Sequence, residues 1–593
     1  MIILGLDIGS SACLFMGHTI VSFCQEERLI GLKKRVNLFP REAVKWCLEH
    51  NNISLTDVEM IAVSWDCTKY PFKMFKPLLI QKMRNKRRYS GKKPDSVRTR
   101  SVNAAIEYLL ANSPSTVRSL IRDNLRIMGF KGPIPEIVFV SHHLSHAYQA
   151  YYQSQFKDSA ILIADGSGEE NCISAYSMKN GALERLFDYN IPESLGWFYS
   201  AFTAYLGFIP NRDESKMMGL AAYGNVRQQH NPWIERINHI LSITADGYRI
   251  HPGYLKFGGN EYHPNYTDSL VDFITSYDTD LYPIGLGEMS EQGNKYLLEK
   301  YVDVAFAVQL QLERAVISLA RRLVSLSGLR NLCLAGGVFM NCKANGSILD
   351  NTDIDNLFVP PAASDEGACM GAAFYVAKQE GVSISKIKDY NTLGPRYSND
   401  TIVRILKNNG IRYELPSDVY ESTAHFVENT KTVGWFRGGL EIGARALGNR
   451  SILANPFSKG MKDHLNNTIK YRERWRPYCP SVNNEYADNV MRHRAEVPFM
   501  NIARGATQYV IDEAPDVVHV DNTIRPQTVD KKHCPNFHLL LDRIGNKIGA
   551  PMVLNTSFNI RGKPIVCSPY DAISTFYSTN LDKLVLEDII VHK

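Results

Sequence analysis

Cysteine pairs are missing from this sequence. Its 11 cysteines are scattered singly along 593 residues, with no C-x-x-C pair among them. Such spacing predicts neither a disulfide framework nor a cysteine zinc site. We therefore expect a protein of a reducing compartment, the cytoplasm.

Long apolar runs are missing too. No uninterrupted apolar stretch reaches the roughly 18 residues that a membrane span needs. The chain opens on an apolar strand rather than on a basic, signal-like segment. We expect no membrane partner and a cytoplasmic location.

A strong excess of one charge is also absent. The formal net charge is +6 over 593 residues, which predicts no nucleic-acid partner. Residues 69–100 are an exception, because they contain many lysines and arginines and almost no acids. A solvated basic face is the favoured interpretation of this segment, and attraction of anionic substrates is the alternative.

Apolar and charged residues occur in the proportions of a globular protein, at 44% and 22%. Up to about residue 375, short apolar runs alternate with longer helical patterns, which predicts an α/β architecture. A long helix is predicted at residues 302–327 and a hairpin turn at Lys179-Asn180-Gly181. Clear strands are predicted at residues 2–7, 60–64, 137–140, 160–165 and 331–334.

A change in composition divides the chain. Residues 376–400 are rich in Lys, Gly, Ser and Asn, as is typical of a domain boundary. The segment beyond them is denser in Arg, Asn and Pro. A chain of this length is expected to hold at least two domains, and we predict them at residues 1–380 and 400–593.

Two stretches far apart in the chain are alike, at residues 2–11 and 160–168. Each is an apolar run that ends in an aspartate, Asp7 or Asp165, passes through small residues such as Gly166 and continues as a second apolar run. Such a turn gathers backbone N–H groups around a space that fits a phosphate, while the aspartate orients a metal or water. Ordinary hairpins are the alternative, but the repetition favours a doubled phosphate-binding turn.

Three histidines lie within five residues, at 142, 143 and 146. A spacing of four places His142 and His146 on one face of a helix, where two imidazoles can bind one metal ion. Asp365, which precedes a helix of small residues, and Asp165 are candidate carboxylate ligands. Nitrogen and oxygen ligands of this kind suit iron, manganese or zinc.

Two weaker patterns in the first domain concern anion binding. Gly336 and Gly337 follow a buried strand and precede Asn341, so the backbone there can approach a ligand closely. Lys216 stands near glycine turns and is compatible with phosphate binding. Tight packing of the glycines and a surface salt bridge of the lysine are the alternatives.

Arginines cluster with aromatic residues in the second domain, at residues 441–452 and 470–478. Arginine binds phosphate or carboxylate through two parallel hydrogen bonds, so this clustering predicts a site for a small substrate with several negative charges. The interleaved Trp475, Pro477 and Tyr478 favour a folded pocket over exposed basic loops. A strand at 553–559 ends in uncharged hydrogen-bonding side chains.

In their order along the chain, these motifs resemble the O-carbamoyltransferases of the nodulation and antibiotic-tailoring family. The resemblance extends over nearly the whole sequence. The motifs that define it are Glu26-Glu27-Arg28, His142 with His146, Asp165-Gly166, Ser194-Leu195-Gly196, residues 216–220, residues 336–341, Asp365, residues 445–451, Arg472-Glu473, Arg476-Pro477 and residues 555–559.

The resemblance implies a fold and an activity. The N-terminal domain would be a duplicated actin-like fold similar to the tRNA threonylcarbamoyl-transfer enzymes, and the smaller α/β C-terminal domain would be similar to their carbamoyl-adenylate-forming partner. The C-terminal domain would convert carbamoyl phosphate and ATP, with Mg, into carbamoyl adenylate and pyrophosphate. The N-terminal domain, with Fe(II) or another divalent metal, would transfer the carbamoyl group to a hydroxyl of a small molecule, a natural product or a sugar.

The resemblance also implies roles for individual residues. The metal ligands would be His142, His146 and Asp365, and the predicted catalytic residues are Asp7, Lys216, Arg472 and Arg476. Substrate and nucleotide binding is assigned to Asp165, Gly166, Gly336, Gly337, Asn341, Arg445, Arg450, Lys470, Arg525, Asn555 and Ser557.

The sequence departs from the family pattern in places. The usual His-Asp of the first turn reads Ile8-Gly9 here, and Asp7 or His18 is the candidate substitute where the geometry allows. The usual Gln-Gly-Arg reads Arg437-Gly438-Gly439, Ala444 replaces a common proline, and Lys563 replaces a common glutamate. These changes predict either an unusual acceptor or a site that no longer runs the full reaction.

Three alternatives to this activity are open, and the altered first turn favours the first of them. The chain could be a degenerate homologue that binds nucleotide or metal without turnover, a transferase acting on a protein thiol, or an ATPase or sugar kinase of the actin-like class. The acceptor has no recognisable motif, and we hypothesise that residues 234–293 cover its site. A homodimer is one hypothesis for the oligomeric state.

Overall fold

The computed structural model describes residues 1–33, 39–68, 113–225, 231–256, 265–291, 299–387 and 392–593. The basic segment at 69–100 lies outside the described residues, and the hypothetical acceptor region at 234–293 lies only partly within them.

The first sheet is formed near the N-terminus. Its strand order is β3-β2-β1-β4-β5. β1 pairs antiparallel with β2, and β2 with β3, whereas β1 and β4, and β4 and β5, are parallel. The strands are β1 Ile2–Asp7, β2 Ser11–Met16, β3 Thr19–Gln25, β4 Met60–Val63 and β5 Glu136–Phe139.

The second sheet repeats this topology. Its order is β12-β11-β6-β7-β8, and counted from β8 it again has two antiparallel pairs followed by two parallel ones. The expected duplicated actin-like architecture is therefore confirmed. The strands are β6 Ser159–Ala164, β7 Asn171–Lys179, β8 Ala182–Asn190, a separate hairpin of β9 Leu241–Thr244 and β10 Gly247–Ile250, then β11 Asn331–Ala335 and β12 Asn356–Phe358.

The predicted strands agree with the observed ones to within about one residue at each end. The central strand β6 is buried along its whole length, as its continuous apolar run predicts. The predicted hairpin turn is confirmed between β7 and β8. Asn180 and Gly181 have φ values of 51° and 76°, the left-handed conformation that such a turn requires.

Helices cover both sheets and connect them. The predicted long helix is α10, which begins three residues earlier than expected and ends at the predicted residue. The helices of this part are α1 Glu26–Ile30, α2 Arg41–His50, α3 Pro114–Ile127, α4 His142–Gln153, α5 Leu195–Tyr205, α6 Glu214–Asn225, α7 Trp233–Asn238, α8 Asp268–Thr275, α9 Glu288–Glu291, α10 Glu299–Ser327, α11 Cys342–Asn351 and α12 Ala368–Gln379.

The C-terminal part is built on a third sheet, ordered β13-β22-β21-β14-β15-β20-β16-β19, with β17 and β18 as a separate pair. Its strands are β13 Tyr413–Glu414, β14 Val433–Phe436, β15 Arg450–Ala454, β16 Cys479–Asn483, β17 Arg504–Gly505, β18 Thr523–Ile524, β19 Gln527–Val529, β20 Met552–Ser557, β21 Lys583–Leu586 and β22 Ile589–Val591. Its helices are α13 Asn399–Asn408, α14 Val419–Glu428, α15 Met461–Leu465, α16 Gln508–Glu513, α17 Pro535–Ile548 and α18 Pro569–Tyr577.

None of the helices in the described ranges has both the length and the hydropathy that a bilayer span requires. The position of the boundary between residues 380 and 400 stays a prediction.

Helices α4 and α12 pack together between the first two sheets. Small residues on both helices, Ala147 and Ala150 on α4 and Ala372 on α12, are fully buried in this core. At Gly371 of α12 the approach is so close that a Cβ atom would lie 1.6 Å from the carbonyl oxygen of Ser145. The helix that begins with His142 is therefore positioned by direct contact with the α12 backbone.

We expect Gly371→Ala to lower the free energy of unfolding by about 2–3 kcal/mol, because the added methyl group has to push two packed helices apart. Urea unfolding followed by circular dichroism measures this change. Gln379→Ala, at an exposed position in the last turn of the same helix, is the control and should change stability by less than about 0.5 kcal/mol. Equal stability of both variants would contradict this account of the packing.

Candidate metal centre and anion pocket

Four side chains converge where α4 begins. As their spacing of four residues predicts, His142 and His146 lie on one face of α4, with their Nε2 atoms 3.2 Å apart. Asp165 directly follows β6, and Asp365 opens a short helical turn at Asp365–Gly367 that leads into α12. The donors thus come from both repeats of the fold.

The geometry of this cluster fits one metal ion. Asp165 Oδ2 lies 3.6 Å from His142 Nε2 and 3.3 Å from His146 Nε2. Asp365 Oδ1 lies 3.5 Å and 3.9 Å from the same two nitrogens. The four ligand atoms lie within 4.8 Å of one another, so a small inward shift of the side chains would bring all of them to the bond length of about 2.0–2.2 Å from a shared centre. Two imidazoles and two carboxylates suit iron, manganese or zinc.

The cluster is buried on one side and open on the other. His142, His146 and Asp165 are buried, whereas the Asp365 side chain is 56% exposed. A metal held here would keep an accessible face toward Asp365. Such an arrangement is typical of catalytic rather than structural metal sites.

Neighbouring groups orient the ligands. His142 Nδ1 lies 3.1 Å from the carbonyl oxygen of Ser64, so an N–H donated there leaves Nε2 available to a metal. The carboxylate of Glu169 accepts the backbone N–H groups of His142 at 2.9 Å and Asp66 at 2.8 Å. Glu169 therefore anchors the start of α4, a function that no sequence motif indicated.

The charges of the cluster stabilise one another. Burial opposes ionisation of Asp165, but His142 and His146 hold its pKa well below the usual value. Burial likewise disfavours the imidazolium of His142, yet Asp165 and Asp365 raise its pKa well above the usual value. The two carboxylates thus create a buried site that attracts positive charge, as a divalent cation requires.

His143 does not belong to this cluster. Its Nδ1 lies 2.8 Å from the hydroxyl oxygen of Ser174 on β7. Burial lowers its pKa well below the usual value, which keeps the ring neutral in the core.

Asp7 lies beside the metal cluster. It accepts hydrogen bonds from the hydroxyls of Ser10 and Ser64, the latter at 2.8 Å. Burial and the charge of Asp365 raise the pKa of Asp7. His18, the other candidate for the missing histidine, follows β2 at the opposite end of β1 and lies 2.9 Å from the carbonyl oxygen of Ser383. The geometry therefore excludes His18 as a substitute at this site.

The glycines singled out in the sequence are closely packed against neighbouring protein atoms next to the cluster. Gly336 has a φ of 99°, and a Cβ there would lie 2.2 Å from the carbonyl oxygen of Ala164. A Cβ on Gly337 would lie 3.0 Å from Asp165 Oδ1, and one on Gly196 would lie 2.7 Å from the Cα of Gly166. These glycines therefore allow the segments to pack closely against one another, as the alternative interpretation expected, and a direct ligand contact at Gly336 or Gly337 stays a prediction.

Asn341 is held by the protein itself. Its Oδ1 accepts the backbone N–H of Ala344 at 3.0 Å and so caps α11. Its Nδ2 donates to Gln309 Oε1 at 2.8 Å. A direct contact between Asn341 and a nucleotide stays a prediction.

Four of the predicted arginines meet in a second site, between the N-terminal and C-terminal parts. These are Arg445, Arg472, Arg476 and Arg525. We call this site the anion pocket; its lining is Ser215, Met218, Gly219, Cys342, Lys343, Arg445, Arg472, Arg476, Pro477, Ala503, His519, Thr523, Ile524 and Arg525.

The arginines of the anion pocket repel one another. Burial and the charge of Arg525 lower the pKa of Arg445 to about 9. Burial and the charge of Arg472 lower that of Arg476 to about 10. Several partly buried cations held this close together would be stabilised by a bound anion, which is the property expected of a phosphate site.

Arg450 does not line the anion pocket. Its guanidinium is fully buried over the ring of Phe436 and donates to backbone carbonyl oxygens, among them Pro395 at 3.0 Å and Gly438 at 2.9 Å. In this structure Arg450 therefore fixes the loop next to β15, whereas phosphate binding by it stays a prediction.

Lys470, Asn555 and Ser557 also lie outside this lining. Lys470 Nζ donates to Ser557 Oγ at 3.1 Å and to Asn559 Oδ1 at 2.7 Å. Burial, together with the charges of Arg472 and other nearby cations, lowers its pKa well below the usual value. Asn555 Nδ2 donates to Ser481 Oγ at 2.9 Å. Lys470, Ser557 and Asn559 thus form one hydrogen-bonded group and Asn555 belongs to another, both within the C-terminal part.

Three residues near the anion pocket were missed in the sequence. Lys343 of α11 and Asp521 form an ion pair of 2.7 Å between the two parts of the protein. His519 lies beside Asp521, with Nδ1 3.6 Å from its Oδ1. No spacing along the sequence connects Lys343 with Asp521 and its neighbour His519, because the lysine and the aspartate belong to different parts of the protein.

Two family models match this chain. The model described as Carbamoyltransferase N-terminus matches residues 3–374, and the model described as Carbamoyltransferase C-terminus matches residues 424–593. The chain is 32% identical to the uncharacterized protein sll1178 of Synechocystis sp., with 98% of this chain and 95% of that protein aligned. It is 31% identical to nodulation protein NolNO of Sinorhizobium fredii, with 98% of this chain and 78% of that protein aligned.

The likeness to solved structures is weaker. Full-length HypF in a phosphate- and nucleotide-bound form gives a TM-score of 0.30 at 13% identity, covering 65% of this chain and 56% of that one.

We expect His146→Ala to lower the affinity for Fe(II) by at least about tenfold, because one of two imidazole ligands is lost. Elemental analysis after anaerobic incubation with Fe(II) and desalting measures the metal retained. His239→Ala, an exposed histidine of the same domain, should keep the wild-type content. If both variants retained as much metal as the wild type, the cluster would not be the metal site.

Proposed function

Because this chain belongs to the carbamoyltransferase family, we propose that it is an ATP-dependent O-carbamoyltransferase that works through a carbamoyl adenylate. The observation that supports this route is the separation of two sites, one rich in arginine and one with metal ligands. An anionic donor would be activated in the first, and its carbonyl group would react in the second.

The first half-reaction suits the anion pocket. Carbamoyl phosphate and water would give carbamate and phosphate. A carbamate oxygen would then attack the α-phosphorus of MgATP, forming one P–O bond and breaking another to release pyrophosphate. Arg445, Arg472, Arg476 and Arg525 would bind the phosphate groups and stabilise the charge that develops during displacement.

The second half-reaction suits the metal centre. A hydroxyl oxygen of the acceptor would attack the carbonyl carbon of carbamoyl adenylate, AMP would leave, and the hydroxyl proton would be released. His142, His146, Asp165 and Asp365 would hold Fe(II) or a similar cation, which supplies Lewis-acid polarisation when bound. Gly336 and Gly337 would let the backbone approach the adenylate closely.

Asp7 is the proposed proton acceptor in this step. Burial raises the pKa of its carboxyl in the metal-free protein, and its position beside the cluster places it near the hydroxyl that would react there. The hydroxyls of Ser10 and Ser64 would hold it in place. Asp7 would thereby replace the histidine that the family usually has in the first turn.

Turnover is favoured over a degenerate binding protein. All four candidate metal ligands are gathered in one cluster, and four arginines line one pocket. A small-molecule hydroxyl is proposed as the acceptor on the resemblance to the nodulation and antibiotic-tailoring enzymes.

The decisive experiment is carbamoyl-phosphate-dependent exchange of labelled pyrophosphate into ATP by the iron-loaded protein without an acceptor. We expect exchange in the wild type and in His146→Ala, but a loss of about 100-fold or more in Arg476→Ala, because Arg476 would stabilise the displacement. Arg494→Ala, at a half-exposed surface ion pair, is the matched control and should exchange normally.

The transfer step is measured as AMP release in the presence of a panel of sugars and amino sugars. His146→Ala should release no AMP in response to an acceptor that works with the wild type. If His146→Ala and Arg476→Ala lost both steps equally, the proposed division between the two sites would be wrong.

A further inference from the structure

A buried carboxylate lies beside Arg476 and competes with a bound anion for its guanidinium. Glu473 Oε2 is 3.7 Å from Arg476 Nη1, and the Glu473 side chain is only 3% exposed. A buried carboxylate stays ionised only where cations compensate its charge. Glu473 therefore attracts the guanidinium that a ligand in the anion pocket also needs.

Lys216 provides the other cation for Glu473. Its Nζ lies 3.3 Å from Glu473 Oε1 and 3.0 Å from Asp213 Oδ1. Lys216 belongs to α6 of the N-terminal part, so this ion pair connects the two parts of the protein. Ser215 and Gly219, on either side of it in the helix, line the anion pocket, but Lys216 does not.

The two cations differ in how strongly they lower the pKa of Glu473. Burial disfavours the ionised form of Glu473, but Lys216 and then Arg476 lower its pKa below the usual value. Lys216 is therefore the stronger of the two compensating charges. While Lys216 is present, the negative charge of Glu473 depends less on Arg476 for compensation.

The backbone next to Glu473 is held in place, so it does not shift when the ion pairs of Glu473 change. Trp475 is fully buried, and its ring packs against Phe208 of the N-terminal part with centroids 6.4 Å apart. His519 Nε2 lies 3.0 Å from the carbonyl oxygen of Trp475. A change at Lys216 must therefore be answered by side chains, above all by the guanidinium of Arg476.

We propose that Lys216 is a positioning residue which, by pairing with Glu473, leaves Arg476 available to the anion in the pocket. The identity of that anion, a phosphorylated substrate or pyrophosphate, rests on the proposed function. Without Lys216, the carboxylates of Glu473 and Asp213 draw Arg476 toward themselves and away from the ligand. This role differs from the direct catalytic one that the sequence motif predicted.

The test is a double-mutant cycle on the full-length protein, with inorganic pyrophosphate as the probe in titration calorimetry. Lys216→Met should weaken pyrophosphate binding about tenfold, which corresponds to a loss of about 1.4 kcal/mol in binding free energy. Lys216→Arg, which keeps the charge, should bind within about threefold of the wild type. With Glu473→Gln already present, Lys216→Met should cost less than about threefold, because the main competitor for Arg476 is gone.

The control is Lys547→Met, which breaks a surface ion pair of 2.8 Å with Glu421 and should leave pyrophosphate binding unchanged. Thermal unfolding of each variant verifies that it is folded. Glu473→Gln alone gives a second, independent measurement, since it should bind pyrophosphate at least as tightly as the wild type.

Three results would overturn the inference. The first is an equal loss on Lys216→Met in both backgrounds, which would mean that Lys216 contacts the anion itself or only supports the loop. The second is tenfold weaker binding by Glu473→Gln alone. The third is a wild type that binds no pyrophosphate. Absence of the exchange reaction, with the cycle behaving as expected, would instead refute the adenylate route and leave the role of Lys216 standing.

Discussion

The contact between α4 and α12 determines the geometry of the candidate metal centre. Gly371 allows the backbones of these helices to touch at Ser145, and the fully buried alanines beside it keep the approach close. α4 supplies His142 and His146, and the turn that leads into α12 supplies Asp365. Because both ligand sources belong to this helix pair, their separation is fixed by packing in the core and does not depend on a mobile loop.

Duplication of the sheet explains why the remaining groups meet the helices at the same place. β1 and β6 are equivalent central strands, and each leads to an aspartate, Asp7 or Asp165. Ser64 connects the two halves of the site, since its carbonyl oxygen faces His142 and its hydroxyl donates to Asp7. The result is a buried centre of two carboxylates and two imidazoles with a third carboxylate beside it. Such a cluster of carboxylates and imidazoles can hold a divalent cation.

The anion pocket, in contrast to the metal cluster, is dominated by positively charged side chains. Four partly buried arginines line one pocket, and the N-terminal part contributes both part of its wall and the lysines of two ion pairs, Lys216–Glu473 and Lys343–Asp521. The arginines therefore do not form a site of the C-terminal part alone. Charge balance across the interface influences how strongly each guanidinium can interact with a ligand.

Local pattern was sufficient for the strands, the Asn180-Gly181 turn, the pairing of His142 with His146 and the clustering of arginines, because each depends on residues close together in the chain. It did not separate Arg450, which binds backbone carbonyl oxygens, from Arg445 and Arg476, which line the pocket. It also missed Glu169, Lys343 and His519. By itself the sequence determined the α/β alternation, the family and the types of ligand. Only the tertiary structure decided which charges meet, because burial and ion pairing join residues that lie up to hundreds of positions apart.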